Sequence, residues 1–541
     1  MAEKTNSMPT EQLTMVTTLD DQENHVEKVT TVDTLHADEA TVVLARHTTE
    51  STWTESEEKN LVRKIDRRLL GIMFATYGLQ YYDKAMLSQA ALFGLRKELV
   101  LTGDRYSFSA SIFYLGYIAG ALPAMLLAQH FPVERFTAGI IAVWCSDFRG
   151  LYAQRFFLGF LEAGVSPILM IIVSSFYKKN EQPLRMGSWW AAAGFVSIFA
   201  PLINYGLGHI HGALSTWKYM YTFAGSVTIL WAIVIMAFLP PNPVHARGFS
   251  ERERYIAVAR LRTNNTGVRN THFKPAQALE LVYDARFWLA VATAFCIMVT
   301  NGPLSTFVPI IVSGFGYSPL NSLLLSMPCG AVAGVETLLV TWIASKLSHR
   351  NWNTWIIAAC QVPSIVAAVL PWQLPADAQG ARLFALYLLG GFASPYGVLM
   401  ALHTANYAGY TKKSVTASGL FMGYCLGNST GPLLFKPTDA PTFEKGFQAV
   451  LITTILGLAL AVAYRFVCVL DNKRRDRAGT AEAFDHAFDD DLTDMKVRTY
   501  IHLLGPKDLC NLRLWLTVNE ESPIPLYNLR KGEASNCFPG L

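Results

Sequence analysis

Eleven separate stretches of this chain are each apolar enough, and long enough, to cross a lipid bilayer as a helix. The hydrocarbon core is about 30 Å thick and takes about 20 helical residues to span. No water reaches that depth, so each backbone N–H and C=O must bond within its own segment. A chain with this pattern is confined to a bundle of spanning helices. The stretches lie at about Leu69–Leu92, Phe108–Leu127, Leu151–Phe176, Met186–Leu207 and Tyr219–Leu239, then at Phe287–Val312, Leu320–Leu347, Trp355–Leu374, Leu383–His403, Val415–Phe435 and Phe447–Leu470. A polar stretch, Pro240–Arg286, divides the two sets. A twelfth candidate, Phe136–Trp144, has only nine residues.

Charge follows the same division. Only 16% of the 541 residues are charged, against roughly 25% in soluble proteins. Residues 1–60 hold thirteen acidic and four basic side chains (4 − 13 = −9), so the charge-poor part is roughly 69–470. That excludes a soluble enzyme. The net charge of +4 is too small to suggest nucleic acid as a partner. Eight scattered cysteines include no CxxC pair, and no metal site or cofactor is expected. No P-loop, GxSxG or HExxH occurs. The first sixty residues have no charged-then-apolar leader and read as a disordered cytosolic tail.

Basic loops mark the cytosolic side. Arg63, Lys64, Arg67 and Arg68 precede the first span; Lys178, Lys179 and Arg185 follow the Leu151 span; Arg247 to Lys274 fill the central loop. Lys346 and Arg350, Lys412 and Lys413, and Lys473 to Arg477 mark later loops. All share one side only if the short Phe136 stretch crosses the membrane once. As a helix its nine residues rise about 14 Å. Lengthening it to Leu151 would draw Asp147 and Arg149 towards the bilayer core, at roughly 2.5–3.5 kcal/mol each. The third helix is therefore expected to be truncated, through a mis-called exon or a real deletion.

The two halves repeat. GYIAGALPAMLLAQHFPVER (Gly116–Arg135) resembles GAVAGVETLLVTWIASKLSHR (Gly330–Arg350), each with Gly-x-x-x-Gly ahead of a basic loop. Arg155 precedes Ser166-Pro167 as Arg382 precedes Ser394-Pro395, and Pro201-Leu202 matches Pro432-Leu433. This predicts an all-α fold of twelve helices in a six-plus-six parallel repeat, with a central site between the halves. The boundaries are a tail at 1–60, a bundle at 61–239, a cytosolic loop at 240–286, a second bundle at 287–470 and a cytosolic tail at 471–541.

Charges inside spans face the bundle interior or a wet cavity. Asp83 and Lys84 lie in the first span. Neighbours on a helix point about 100° apart, so both cannot enter one pocket. Lys84 is a candidate contact for an anion, with Asp83 as its pair or another neighbour's; the alternative is a structural ion pair at the helix end. Arg155 and Glu162 are seven residues apart, on one face of the fourth span. An acid there can bind and release a proton; the competing reading is an Arg–carboxylate pair holding helices together. Glu336 stands alone in the eighth span, either a second proton site or a hydrogen-bonding group. His403 and Asn406 close the tenth span, Asn406 as a substrate contact or a helix cap. Tyr81, Tyr82, Tyr114, Tyr117, Trp189 and Trp190 are cavity candidates. Asn264-Asn265-Thr266 falls in a cytosolic loop, which argues against glycosylation.

YYDKAMLSQAALFGL (Tyr81–Leu95), RFFLGFLEAGVSP (Arg155–Pro167), SSFYKKNEQPLRMG (Ser174–Gly187), NYAGYTKK (Asn406–Lys413) and GNSTGPLLF (Gly427–Phe435) together resemble the fungal anion:cation symporter (allantoate permease) family of the major facilitator superfamily. The resemblance runs from about Val62 to Lys496. It implies a two-bundle fold and proton-driven uptake of a small organic anion such as allantoate, ureidosuccinate, a peptide or nicotinate. It also implies a multi-pass protein of the plasma membrane, with both termini cytosolic, working as a monomer. By position, Arg155, Gly159 and Glu162 match the coupling motif, and Glu181 and Arg185 match the gating loop. Gln129 to Arg135 lacks the acid of the usual Asp-Arg signature. The tail Val497–Leu541 departs from the family. Together the residues and the resemblance place substrate contacts at Lys84, Asp83, Tyr82 and Asn406, proton coupling at Glu162, Arg155 and Glu336, and gating at Glu181 and Arg185. Export of a carboxylated metabolite, or a nutrient sensor without transport, are the alternatives.

Overall fold

The computed structural model describes residues 13–17, 28–32, 53–130 and 147–477, apart from 211, 213, 240–245, 247, 262–273, 349–350, 376–377, 437–438 and 440–442. The short third span, the loop from 131 to 135, the Asn264 sequon and the tail beyond 477 lie outside the described residues. In the acidic head, where a disordered tail is expected, strands β1 (Leu13–Thr17) and β2 (Lys28–Val32) pair antiparallel, Leu13 opposite Val32.

The rest is helical. In chain order the helices are α1 (Glu55–Leu92), α2 (Leu95–Glu98), α3 (Arg105–His130), α4 (Phe148–Glu162), α5 (Val165–Phe176), α6 (Gln182–Trp190), α7 (Ala192–Leu207), α8 (Thr216–Phe238), α9 (Glu251–Ala259), α10 (Pro275–Leu279), α11 (Ala285–Gly314), α12 (Pro319–Leu347), α13 (Asn353–Gln373), α14 (Gln379–Leu389), α15 (Ser394–Ala405), α16 (Tyr410–Leu434) and α17 (Glu444–Arg477). Pairs α4–α5, α6–α7 and α14–α15 are broken rods that each continue one span. Among the described residues, eight rods are long and apolar enough to cross a membrane. Large apolar side chains such as Leu230, Ile233, Phe238, Phe384 and Phe466 stand exposed on the outside, where a bilayer would cover them.

Local sequence explains the ends and breaks. Thr54 caps α1 through a reciprocal box with Glu57, satisfying donors that the first turn leaves free. Asp147 caps α4, accepting from the Gly150 N–H at 2.7 Å. The fourth and tenth spans both break just ahead of their Ser-Pro pair, at Ala163–Gly164 and through a 3₁₀ turn at Gly390–Ala393. The repeat read from the sequence is thus a repeat of backbone devices.

Charge parity is realised. α3 and α4 pack parallel, Gly116 against the Phe156 carbonyl and Gly120 against that of Phe160. Lys178, at the far end of α5, pairs with Glu58 at the start of α1, 2.6 Å apart. The basic loops therefore share one end of the molecule, called the basic end below.

Two bundles result, α1–α8 and α11–α17. They meet along α3–α16, α7–α12 and α1–α11. Under the repeat the second span answers the eighth and the fifth the eleventh, so the first two seams exchange with each other. The matching Gly-x-x-x-Gly pairs serve different seams. Gly116 and Gly120 bring α3 onto α4 inside one bundle, whereas Gly330 and Gly334 bring α12 onto Gly194 of α7 across the two. At both places a Cβ would strike backbone, which is the packing role small residues have in membranes.

Candidate functional site

Tyr77, Tyr81, Ala85 and Ser88 recur at three- and four-residue spacing and share one face of α1. That face lines a cavity between the bundles that holds about 810 Å³ of atom-free space, counting its open mouth. Trp190, Gly194 and Ser197 form a second wall, and Asn301, Ser305, Ser326, Thr337 and Phe392 close it from the other bundle. Hydroxyls and amides line it with aromatic rings, and among the described residues no charged side chain does. Asn301 donates to Asn428 Oδ1 at 2.8 Å, which fixes its amide at the edge of α11.

Lys84 sits one helix face away. Its half-buried ammonium lies 4.9 Å from the Tyr117 ring, 5.5 Å from those of Phe113 and Tyr424, and 5.9 Å from that of Tyr114. Its hydrogen bond goes across the seam, to Tyr424 Oη at 3.3 Å. Tyr424 also meets Trp190, a cavity residue, at 6.0 Å. One aromatic layer thus separates the ammonium from the cavity. No carboxylate forms an ion pair with Lys84 among the described residues. Cation–π contacts give about 0.5–2 kcal/mol each. A close charge pair gives about 1.5–7 kcal/mol, so the rings can hold the cation but give it no negative charge in direct contact.

Glu162 is fully buried. Its Oε2 accepts from Tyr117 Oη at 2.9 Å, while Oε1 has no partner. Gln80 Nε2 donates to the same Tyr117 oxygen at 2.6 Å. Tyr117 therefore joins the two charges, its ring under Lys84 and its hydroxyl on Glu162. Arg155 does not pair with Glu162, although both lie on one face of the span. Arg155 donates through Nη2 to Tyr221 Oη at 2.5 Å and through Nη1 to the Asp83 carbonyl at 3.4 Å. Asp83 turns the other way from Lys84, its Oδ2 accepting from Thr228 at 3.0 Å. Adjacent charges on α1 thus serve different neighbours.

Tyr82 and Asn406 lie away from the cavity. Tyr82 donates to Asn204 Oδ1 at 3.1 Å and packs among Met86, Ala200 and Met220. Asn406 ends α15 at the basic end, its amide on Tyr464 Oη at 3.0 Å. His403 stacks on Phe287 and meets the Tyr407 ring edge-on. Glu336 is half-buried on α12, facing Gly391 in the α14–α15 break, where a side chain would strike its carboxylate. Tyr77, Tyr424 and Asn301 are site residues that sequence reasoning missed. An amide two residues before Pro303, inside an apolar run, was the available signal for Asn301.

At the basic end Glu181 and Arg185 reach different partners. Glu181 binds the fully buried Arg260 guanidinium, and Arg185 grips Asp66 of α1 with contacts of 3.0 and 3.3 Å. Helix α9 is tied beneath the first bundle by Lys64–Glu253 at 2.7 Å and Arg252–Glu57 at 3.0 Å. Arg252, with the Thr54 backbone, holds the Glu57 carboxyl down at about 2. Burial would raise Glu58, but hydrogen bonds from Lys178 and Trp53 outweigh it and hold that carboxyl below its ordinary value. Across the seam, Trp190 Nε1 donates to the Ala393 carbonyl at 2.9 Å and Ser345 to the Asn180 carbonyl at 3.0 Å, so the bundles are shut at this end.

Two repeat-related helical bundles with a polar cavity between them define a membrane carrier rather than an enzyme. Residues 73–432 match the family model of the Major Facilitator Superfamily, and the chain belongs to that family. An uncharacterised transporter of Schizosaccharomyces pombe is 36% identical over 437 residues, spanning 79% of this chain and 81% of its own length. The allantoate permease of Saccharomyces cerevisiae is 30% identical over 481 residues, 84% of this chain and 88% of its own. Among solved structures, the proton:xylose symporter XylE bound to 6-bromo-6-deoxy-D-glucose superposes with a TM-score of 0.56 at 14% identity, covering 73% of this chain and 94% of that one. At that identity the likeness speaks for the fold alone.

Proposed function

We propose that this chain takes up a small organic anion together with a proton across the plasma membrane, with both termini and the basic end in the cytosol. The observation that carries the reading is Lys84: an intramembrane ammonium at the seam between bundles, surrounded by rings and paired to no carboxylate. An anionic solute supplies the direct charge partner that Glu162, reached only through Tyr117, does not. The adjoining cavity offers hydroxyls and amides, which suits a small solute that carries one carboxylate and several hydrogen-bonding groups, as allantoate does.

Glu162 carries the proton in this scheme. Its unpartnered Oε1 is the atom left to hold one, and Tyr117 links its Oε2 to the ring beneath Lys84. Binding of the anion at Lys84 and of the proton at Glu162 leaves the site without a net unpaired charge. The bundles can then rock about the seam without exposing a bare ion to the low-dielectric interior. Arg155 and Asp83 hold α4 and α8 against α1 and position this group.

The test follows labelled allantoate, nicotinate and a dipeptide into transporter-deficient cells at pH 5 and pH 7.5. Uptake of at least one of them, faster at pH 5 and lost in Lys84→Gln, is expected. Faster loss from preloaded cells would overturn uptake in favour of export, and binding without flux would overturn transport altogether.

A further inference from the structure

Helix α16 crosses the seam with Tyr424 turned to the axis between the bundles. There Tyr424 meets Lys84 of α1, Tyr114 of α3, Trp190 of α6 and Tyr396 of α15. Eleven residues earlier stands Lys413. Eleven residues are three helical turns to within about 20°, so Lys413 shares that face about 16 Å nearer the basic end. It is 6% exposed, and its side chain makes no hydrogen bond or ion pair with any described residue. The seam that α16 borders is shut, α5 packing against α15 and α16 and α6 against α15. On the same helix as Lys413 the buried hydroxyl of Thr416 makes no hydrogen bond, and nor does that of Tyr396 beside Tyr424. A seam designed only to stay closed would pair such groups or replace them, because buried polar atoms left unpaired weaken it. They are explained if the seam parts and they then face water and solute.

We propose that Lys413 is a second anion station, which takes the carboxylate of the solute after it leaves Lys84 and before it enters the cytosol. The proposal rests on the reading of Lys84 as the first station. In the closed state the ammonium waits inside the seam. When the bundles part at the basic end it faces the opened vestibule, on the same stripe of α16 that the solute has just left at Tyr424.

The test measures allantoate, nicotinate and dipeptide influx into right-side-out and inside-out membrane vesicles carrying the full chain. Lys413→Gln is expected to raise the half-saturating concentration about ten-fold at the basic face and leave the opposite face within about two-fold, with Lys413→Arg restoring it. Equal change at both faces, or none, overturns the second station while leaving the first intact. No influx of any of the three solutes in wild type overturns both readings. Should Lys413→Gln fail to fold, wild-type inside-out vesicles treated with acetic anhydride decide the matter by peptide mass spectrometry. The transported solute is expected to slow acetylation of Lys413, and an unchanged rate overturns the station.

Discussion

The fourth and tenth spans are the same device put to different uses. Each carries a buried arginine early, breaks before a Ser-Pro pair and continues to the basic end. In the fourth span Arg155 reaches across to Tyr221 and to the Asp83 carbonyl, and Glu162 lies just before the break. In the tenth, Arg382 turns back to the Leu374 carbonyl at 2.8 Å, and the break is Gly390-Gly391, pressed against Cys329 and Glu336 of α12. The first bundle therefore holds the charges in its middle, and the second contributes rings, amides and one acid displaced to a different span. Repetition of the backbone and asymmetry of the chemistry are separate properties of this molecule.

If that asymmetry is functional, variants at equivalent depths should differ by orders of magnitude. Lys84→Gln should lower the kcat/KM of uptake by about 30- to 5000-fold, as loss of a close charge partner costs about 2–5 kcal/mol. Asn301→Ala, on the opposite wall, should lower it by about ten-fold, the scale of one hydrogen bond. Comparable losses at both would erase the distinction between the bundles. Next in size, Glu162→Gln should bring the pH 5 to pH 7.5 uptake ratio to about one while solute exchange persists. Glu336→Gln should change that ratio by less than about two-fold. A reversed order would move the proton site to the second bundle.

The glycines sharpen the comparison between seams that stay packed and seams that move. Gly159→Val places a side chain on the Phe113 carbonyl inside the first bundle, and overpacking of this kind costs about 1–3 kcal/mol. It should lower the unfolding temperature of the purified chain, measured by tryptophan fluorescence. Gly194→Val strikes Gly330 and Gly334 across the bundles. It should leave that temperature nearly unchanged and abolish uptake, because only closure of the two bundles is prevented.

The smallest effect concerns the ties under the first bundle. Glu57 and Glu58 have depressed pKa values, so their contribution is present above the ordinary carboxylate range and is lost only as pH falls through it. The hydrogen-exchange protection factors of residues 251–259, that is, rates corrected for the intrinsic pH dependence of amide exchange, should therefore be the same at pH 5 and pH 7.5. A change between those values would mean that loosening of α9, rather than Glu162, sets the pH dependence of uptake.

How much of this was legible in the sequence differs between fold and site. Runs of twenty apolar residues and one-sided loop charge are properties of single segments, and they predict spans and parity; the matching Gly-x-x-x-Gly, Arg…Ser-Pro and Pro-Leu motifs predict the six-plus-six repeat. Lys84 and Glu162 stood out because charge inside an apolar run is costly wherever the run ends up. Their partners did not stand out. Tyr117 is one of six aromatics named only as cavity candidates, and Tyr424 looks like any other membrane aromatic, until α3 and α16 are brought onto α1. Tyr82 and Asn406 failed the converse way: each sits beside a recognisable motif, yet one residue of helical rotation aims Tyr82 at Asn204, and one capping position carries Asn406 to Tyr464. Arg155 and Glu162 share a face and still part company, since two turns of helix separate their neighbours.

The central claim is that anion and proton move together through Lys84 and Glu162. It is tested most directly by purified protein in liposomes with a pH-sensitive dye outside. Addition of labelled allantoate, nicotinate or a dipeptide, whichever the cells take up, should enter with a matching alkalinisation of the medium. Glu162→Gln should abolish the pH change and keep counterflow of the solute. Solute entry without proton movement in the wild type, or an undiminished pH change in Glu162→Gln, would contradict the account.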